Sequence, residues 1–416
     1  MHKTTKQTSD QLMAYKDFEI WLNTLRKEMT PLTDDFLVKQ LLDIEFFSHA
    51  QVKHKLLEFT ISFKNKDVNK LREAAKQVFI VINEIFGDKN LSPIFERVAK
   101  YESSLFSLLP FYRDHIIHSI RVFMTGLYLL KLINEKCLHT YKLFFKSEEL
   151  TFSTFLKWLL LSTCHDIAIP IEKFGEINNV LMNFYGQFPG FSFEKAKLSP
   201  VQSWLVSLPE FLAAISPDVK VQAKLTKNLN NNEHGVLGAI TLLYLSIQGI
   251  LELPKVPRDY YELYIEQYIV PIARGIALHN TDEIVNFEAD PLTFLLILCD
   301  EIQEWGRFLS IGKTFFKSIY ETWINVKEEN KKLIIDVLNF SSGKDHARIS
   351  ELNPEYDPTR LIEEKKKNLL RLYSENLGGD FFIARTATYK KSAHPDFKRN
   401  YKIRISYGNK RLSETT

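Results

Sequence analysis

Cysteine is scarce in this chain: three residues in 416, an odd number, with no Cys-x-x-Cys pair. That gives no sign of a disulfide framework or a zinc ribbon and fits a reducing compartment. The opening stretch, MHKTTKQTSDQLMAYK, lacks the apolar segment of a secretory signal. No uninterrupted apolar run approaches the roughly 18 residues of a membrane span. The expected location is therefore cytoplasmic, without a membrane partner. Charge of one sign is missing too, since 54 Lys and Arg nearly balance 51 Asp and Glu for a formal net charge of +3. So small an excess does not by itself argue for nucleic acid or an acidic membrane surface. Internal repeats and low-complexity linkers are also absent. What remains is ordinary globular material, 45% hydrophobic and 25% charged. The chain is longer than one core usually supports, so two or three domains are expected.

The hydrophobic pattern divides the chain in three. Residues 1–105 form an N-terminal helical region, with apolar positions three and four apart in FEIWLNTLRKEM and LREAAKQVFIVINEIF. Residues 106–310 contain longer apolar helices. One of them, PLTFLLILCDEIQEWGR, is announced by Asp290 as N-cap and Pro291 at the first helical position, where a missing N–H costs nothing. Residues 311–416 change character: TWINVKEENKKLIIDVLNF reads as two strands about a polar turn. DPTRLIEEKKKNLLRLYSENLGG reads as a helix, and FFIARTATYKK and NYKIRISYG as two more strands. The expected fold class is mainly α, a helical bundle with an N-terminal helical extension and a small C-terminal α+β appendage.

Of the 11 histidines, His2, His49, His54, His139, His346 and His394 read as solvated or ordinary residues. The others stand at helix ends or faces beside strongly apolar sequence. In RDHIIHS, helical spacing puts Asp114, His115 and His118 on one face. In FLKWLLLSTCHDIAIP an apolar run ends in His165-Asp166, with Pro170 expected to stop the helix. NNNEHGVLGA places His234 in a first turn, VPIARGIALHN ends in His279, and Asp300 follows an apolar stretch in LLILCD. Burying a histidine beside a carboxylate is costly unless both are paired or bound. Imidazole and carboxylate are the ligand set of Zn, Mn, Fe and, with more oxygens, Mg. In an adjacent His-Asp pair, one residue can coordinate one ion while its neighbour bridges to a second.

The ordered set His118, His165-Asp166, His234, His279 and Asp300 resembles the HD-domain superfamily of metal-dependent phosphohydrolases, in the subset that binds two metals. The resemblance covers roughly residues 106–310. It implies two divalent ions, Mn, Fe, Zn or Mg, with His118, His165, Asp166 and Asp300 on the first. Asp166 would bridge to the second, completed by His234 and His279. It further implies hydrolysis of a phosphate ester, with a nucleotide as the expected kind of substrate, by a hydroxide shared between the ions. Asp114 and His115 are the candidates for a supporting hydrogen bond and for proton transfer. Arg113, Lys173, Arg274 and Arg307 flank the motifs as candidate phosphate holders.

The chain departs from the best-known branches of that superfamily. It lacks an HNxxHAxDV-like stretch, an HHExxDGxGYP-like stretch and a long glycine-rich continuation after His-Asp, so no particular substrate is indicated. Two alternatives stay open, a non-catalytic sensor or partner-binding module and a di-iron oxygenase. GRFLSIGKT is not a phosphate-binding loop, because five residues separate Gly306 from Gly312 where four are needed and no strand precedes it. From Phe381 onward nine Lys and Arg face two acidic residues, with Tyr389, Tyr401 and Tyr407 interleaved. A nucleic-acid surface there is weighed against the solvated face of an alternating strand, and the latter is preferred. A homo-oligomer is compatible with all of these readings.

Overall fold

The computed structural model describes residues 27, 29–64, 67–86, 91–108, 113–136, 151–173, 212–213, 215–231, 233–251, 263–287, 289–303 and 305. Beyond these it describes the segments 308–311, 314–317, 320–329, 332–342, 367–369, 371–373, 379–384 and 398–407. Ten α-helices fall within them: α1 (Asp34–Leu42), α2 (Ala50–Lys64), α3 (Val68–Phe86), α4 (Ser92–Leu108), α5 (His115–Lys136), α6 (Phe152–Cys164), α7 (Val219–Asn230), α8 (His234–Leu251), α9 (Val270–His279) and α10 (Pro291–Ile302). The fold is mainly α, with strands toward the C-terminus, as the periodicities indicated. Helix starts follow local chemistry. Thr33, Thr151, Asp218 and Asp290 each accept from a backbone N–H of the following turn, so donors without an intrahelical partner are satisfied. The expected cap at Asp290-Pro291 is in place, with Thr293 N–H on Asp290 Oδ1 at 3.2 Å.

Helix α5 runs through the middle of the bundle and packs on α1, α3, α6 and α10. It is long and apolar enough to cross a membrane by composition alone, but nearly all of that stretch is buried inside the protein. Its closest neighbour is α6. Trp158 donates its indole N–H to the Phe123 carbonyl at 2.9 Å, and its ring occupies the space a side chain at Gly126 would need. That approach brings the start of α5, with His118, alongside the end of α6, with His165 and Asp166.

Four C-terminal strands and one from near residue 30 form a five-stranded antiparallel sheet in the order β1-β5-β6-β9-β8. The strands are β1 (Thr30–Leu32), β5 (Tyr320–Glu329), β6 (Lys332–Ser342), β8 (Gly379–Ala384) and β9 (Lys398–Tyr407). The β5-β6 hairpin is the one read from TWINVKEENKKLIIDVLNF, with Ile324 opposite Val337 and Val326 opposite Ile335, all buried. Three features differ from the sequence reading. The edge strand β1 comes from the region read as wholly helical; three residues are too few to show a period, and Pro31 is tolerated because the strand lies at an edge. β3 (Phe308–Ile311) and β4 (Thr314–Lys317) form a separate hairpin, so FLSI of GRFLSIGKT is itself strand and another strand begins at its Thr314, where a phosphate-binding loop would lead into a helix. Finally β2 (Val285–Asn286) pairs in parallel with β7 (Leu372–Tyr373). Of the helix expected from Asp357 to Gly379, residues 367–369 are helical, but the chain turns at Arg371 and Leu372–Tyr373 are strand β7, whose pairing with β2 overrides the helical spacing. Most of FEIWLNTLRKEM, Arg307, Cys137, and the basic residues 385–397 and 408–416 lie outside the described residues.

Candidate metal centre

Five chain segments converge on one buried carboxylate. Helix α6 ends at Cys164, and a tight turn follows in which Ile167 N–H returns to the Cys164 carbonyl at 3.2 Å. His165 and Asp166 sit at the head of that turn. The helix stops at Cys164, before Pro170 would have to end it, and Pro170 instead stands at the start of the short helical turn 169–173, a position that suits proline. His118 comes from the first turn of α5, His234 from the first residue of α8, His279 from the last of α9 and Asp300 from the final turns of α10.

The two oxygens of Asp166 face different histidines. Oδ2 is 3.3 Å from His165 Nε2 and 3.8 Å from His118 Nε2, while Oδ1 is 3.5 Å from His234 Nε2 and 3.8 Å from His279 Nε2. Asp300 Oδ1 lies 2.7 Å from His118 Nε2. The ligand-type atoms thus form two groups, His118, His165 and Asp300 on one side and Asp166, His234 and His279 on the other, each within 4.8 Å. Both groups could hold a metal ion. Ligands about 2.0–2.2 Å from a shared cation stand about 3.0–3.5 Å from one another, and the contacts here, from 2.7 to 3.8 Å, bracket that spacing.

Each imidazole is anchored through its other nitrogen. Nδ1 of His118 lies 2.5 Å from Gln303 Oε1, that of His165 2.8 Å from the Ser162 carbonyl, that of His234 2.6 Å from Glu172 Oε2 and that of His279 2.6 Å from the Ile276 carbonyl. All four partners are acceptors, so each Nδ1 carries the proton and each Nε2 offers its lone pair inward, the arrangement typical of metal-bound histidines. His165 Nε2 is fully buried, and although Asp166 Oδ2 lies 3.3 Å away it makes no well-aligned hydrogen bond. A buried orphan of this kind calls for an explanation, and a cation is one.

The electrostatics agree with a site built for positive charge. Burial works against ionising Asp166 and Asp300, yet the imidazoles of His165 and His118 hold both carboxyls well below the usual range. Burial also opposes charge on His165, but Asp166 and Asp300 outweigh it and push its pKa up to about 9. At His279 burial prevails, helped by the neighbouring imidazoles, and its pKa is lowered. At His234 burial opposes charge, but the hydrogen bond to Glu172 and the charge of Asp166 raise its pKa. The folded-state pKa of His165 lies above its ordinary 6.5, so its contribution to stability is complete below pH 6.5 and is lost as the pH rises through about 9. Glu172, lowered to about 2 by its hydrogen bond to His234 against the cost of burial, acts in the opposite direction, losing its contribution as pH falls below about 4.5. Protein held in chelator should therefore melt at a lower temperature at pH 9 than at pH 6.5, and His165→Asn should flatten that difference. An unchanged slope in the variant would contradict the assignment.

Residues that sequence reasoning did not nominate complete the site. Gln303 is clamped by donating to the Trp305 carbonyl at 2.9 Å while its oxygen holds His118. Glu172 also accepts from the His234 backbone N–H at 2.9 Å, capping α8. Glu102, buried in α4, accepts from the His115 and Ile116 backbone N–H groups at 3.0 Å and lies 2.9 Å from His115 Nδ1. Only Glu172 had a signal, an acidic residue just beyond the His-Asp doublet. Asp114 caps α5 through Ile117 N–H at 2.8 Å and is paired with Arg72. Burial and the charge of Glu102 push its pKa up to about 6 despite Arg72. His115 lines a small cleft that it shares with Asp166, Ser119 and Thr163, walled by Phe95 and Val98. Among the candidate phosphate holders, Lys173 lies 3.4 Å from Glu172, and Arg274 donates to the Ile215 carbonyl at 3.2 Å and approaches Asp290 at 3.9 Å. Arg113 immediately precedes the Asp114 cap and is half-buried. No family model, curated protein or solved structure matches the chain, so the reading of this site rests on its geometry.

Proposed function

We propose that the chain is a metal-dependent phosphoric ester hydrolase whose centre holds two divalent ions, in the manner of the HD-domain superfamily that its motif order resembles. The observation that carries this reading is the division of Asp166, with Oδ2 turned to His165 and His118 and Oδ1 to His234 and His279. A carboxylate placed in this way can serve two cations at once. Ions held there would supply Lewis acidity toward a phosphoryl oxygen and a water acidified enough to act as nucleophile near neutral pH.

The chain's own groups supply the rest. His118, His165 and Asp300 hold one half and His234 and His279 the other, each imidazole kept in one tautomer by its Nδ1 acceptor. His115 is the group to protonate the leaving oxygen: it lines the cleft beside Asp166, and Glu102 fixes its ring through Nδ1. Lys173, next to the Glu172 that anchors His234, is the nominated cation that would meet a substrate phosphate.

The test is elemental analysis of untagged protein purified without chelator, beside the His165→Asn, Asp166→Asn double variant, followed by a phosphate-ester screen in the metal found. About two equivalents in the wild type, lost in the double variant, together with ester hydrolysis, is the expected result. Binding of no ion after reconstitution with Mn, Fe, Zn and Mg in turn would overturn it. Iron with oxygen consumption would replace it by the oxygenase reading.

A further inference from the structure

A short segment of the C-terminal region, described at 367–369 and 371–373, reaches back to the metal centre through Arg371. The Arg371 side chain is buried and donates through Nη1 to the Leu278 carbonyl at 2.8 Å, through Nη2 to the His279 carbonyl, and through Nε to the Asn368 carbonyl at 3.2 Å. Leu278 and His279 end α9, where carbonyls lack partners within the helix and a cation meets the negative end of the helix dipole. Arg371 and His279 are 92 residues apart in sequence, so only tertiary packing brings them together.

The same segment is also fastened to α10 and to the connection that leads into it. Asn368 donates its amide to Glu301 Oε1 at 2.6 Å, one residue beyond Asp300. Strand β7 pairs in parallel with β2, in the connection between His279 and Asp300, and Val285 N–H bonds the Arg371 carbonyl at 2.9 Å. The segment therefore grips both sides of the loop joining two ligands.

The His279 ring is fixed to the same turn of α9. Its Nδ1 is tied to the Ile276 carbonyl of its own helix, so the position of its Nε2 follows the backbone of the last turn of α9. We propose that Arg371 is a positioning residue for the second half of the metal centre: by clamping the end of α9 it keeps His279 in register with Asp166 and His234, making occupancy of that half depend on the C-terminal region. This rests on the two-ion reading above, but it concerns only one of the two ions.

The experiment is a titration of chelator-treated, dialysed full-length protein with Mn or Zn, reading stoichiometry and affinity alongside far-ultraviolet circular dichroism. Arg371→Lys keeps a cation and loses the two-pronged donation; Arg371→Met loses both. The wild type is expected to take two equivalents. The variants should keep the equivalent held by His118, His165 and Asp300 and bind the second at least about tenfold more weakly, the size of effect found when a ligand's supporting contact is removed. Wild-type affinity for both ions in both variants would overturn the proposal. Loss of both equivalents together with helical signal would also overturn it, by showing a general structural role. A wild type that takes no ion would instead overturn the underlying metal reading, which separates the two failures.

Discussion

Asp166→Ala is expected to eliminate both metal equivalents and to reduce turnover at least about a thousandfold, while the helical signal is retained. No other single substitution in the centre should do this. His118→Ala or His234→Ala removes a ligand from one half, whereas Asp166 lies within 3.3–3.8 Å of four imidazoles and faces both halves. A thousandfold loss corresponds to about 4 kcal/mol of barrier, within the several kcal/mol that metal-ion electrostatics supply. The fold should survive because the surrounding helices are secured independently, α6 by its Thr151 cap and the Trp158 contact, α10 by its Asp290 cap, and α8 by Glu172. Metal analysis and circular dichroism on the same preparation decide the matter. An Asp166→Ala protein that still holds two equivalents would show that the carboxylate does not bridge.

The largest expected effect on stability lies elsewhere. Asp34 and Arg121 form a two-pronged pair, Nε to Oδ1 at 2.9 Å and Nη2 to Oδ2 at 2.8 Å, with both side chains essentially without solvent exposure. The pair ties α1 to α5, the helix that carries His118, and Trp305 N–H reaches Asp34 Oδ1 at 3.4 Å. The guanidinium also lies over the Phe63 ring, 5.1 Å from its centroid. Asp34→Ala leaves the Arg121 charge buried without its carboxylate and should cost about 3–5 kcal/mol in urea unfolding. The double variant Asp34→Leu, Arg121→Met should recover much of that loss, because replacing both ions avoids the desolvation that burying them requires. If the double variant were as unstable as the sum of the two single changes, the pair would not be coupled as its geometry indicates.

Much of the scaffold could be read locally. Helix α3 follows from the spacing in LREAAKQVFIVINEIF, the start of α10 from Asp290-Pro291, and the β5-β6 hairpin from alternation about a polar turn. The ligand-type residues at helix ends were legible for the same reason: a histidine or carboxylate abutting an apolar run is conspicuous. What could not be read was where each ring's second nitrogen goes. Gln303 is uncharged and lies in an otherwise unremarkable helix end, yet it holds His118 from 185 residues away. Glu102 sits among ordinary helical polar residues of α4, and its role depends on how α4 meets the start of α5. Asp114, which shares a helical face with His118 by spacing, instead caps its own helix and pairs with Arg72 of α3.

The sequence by itself determined the mainly helical class, the ends of several helices and which side chains could act as ligands, because those depend on periodicity and capping within a turn or two. Tertiary structure alone decided that Asp166 divides its two oxygens between histidine pairs, that β1 completes a sheet otherwise drawn from beyond residue 320, and that Arg371 closes on the end of α9. Those arrangements join residues far apart in the chain. They are selected by the packing of buried surfaces and by the cost of leaving buried polar groups unpaired, neither of which leaves a mark on neighbouring positions.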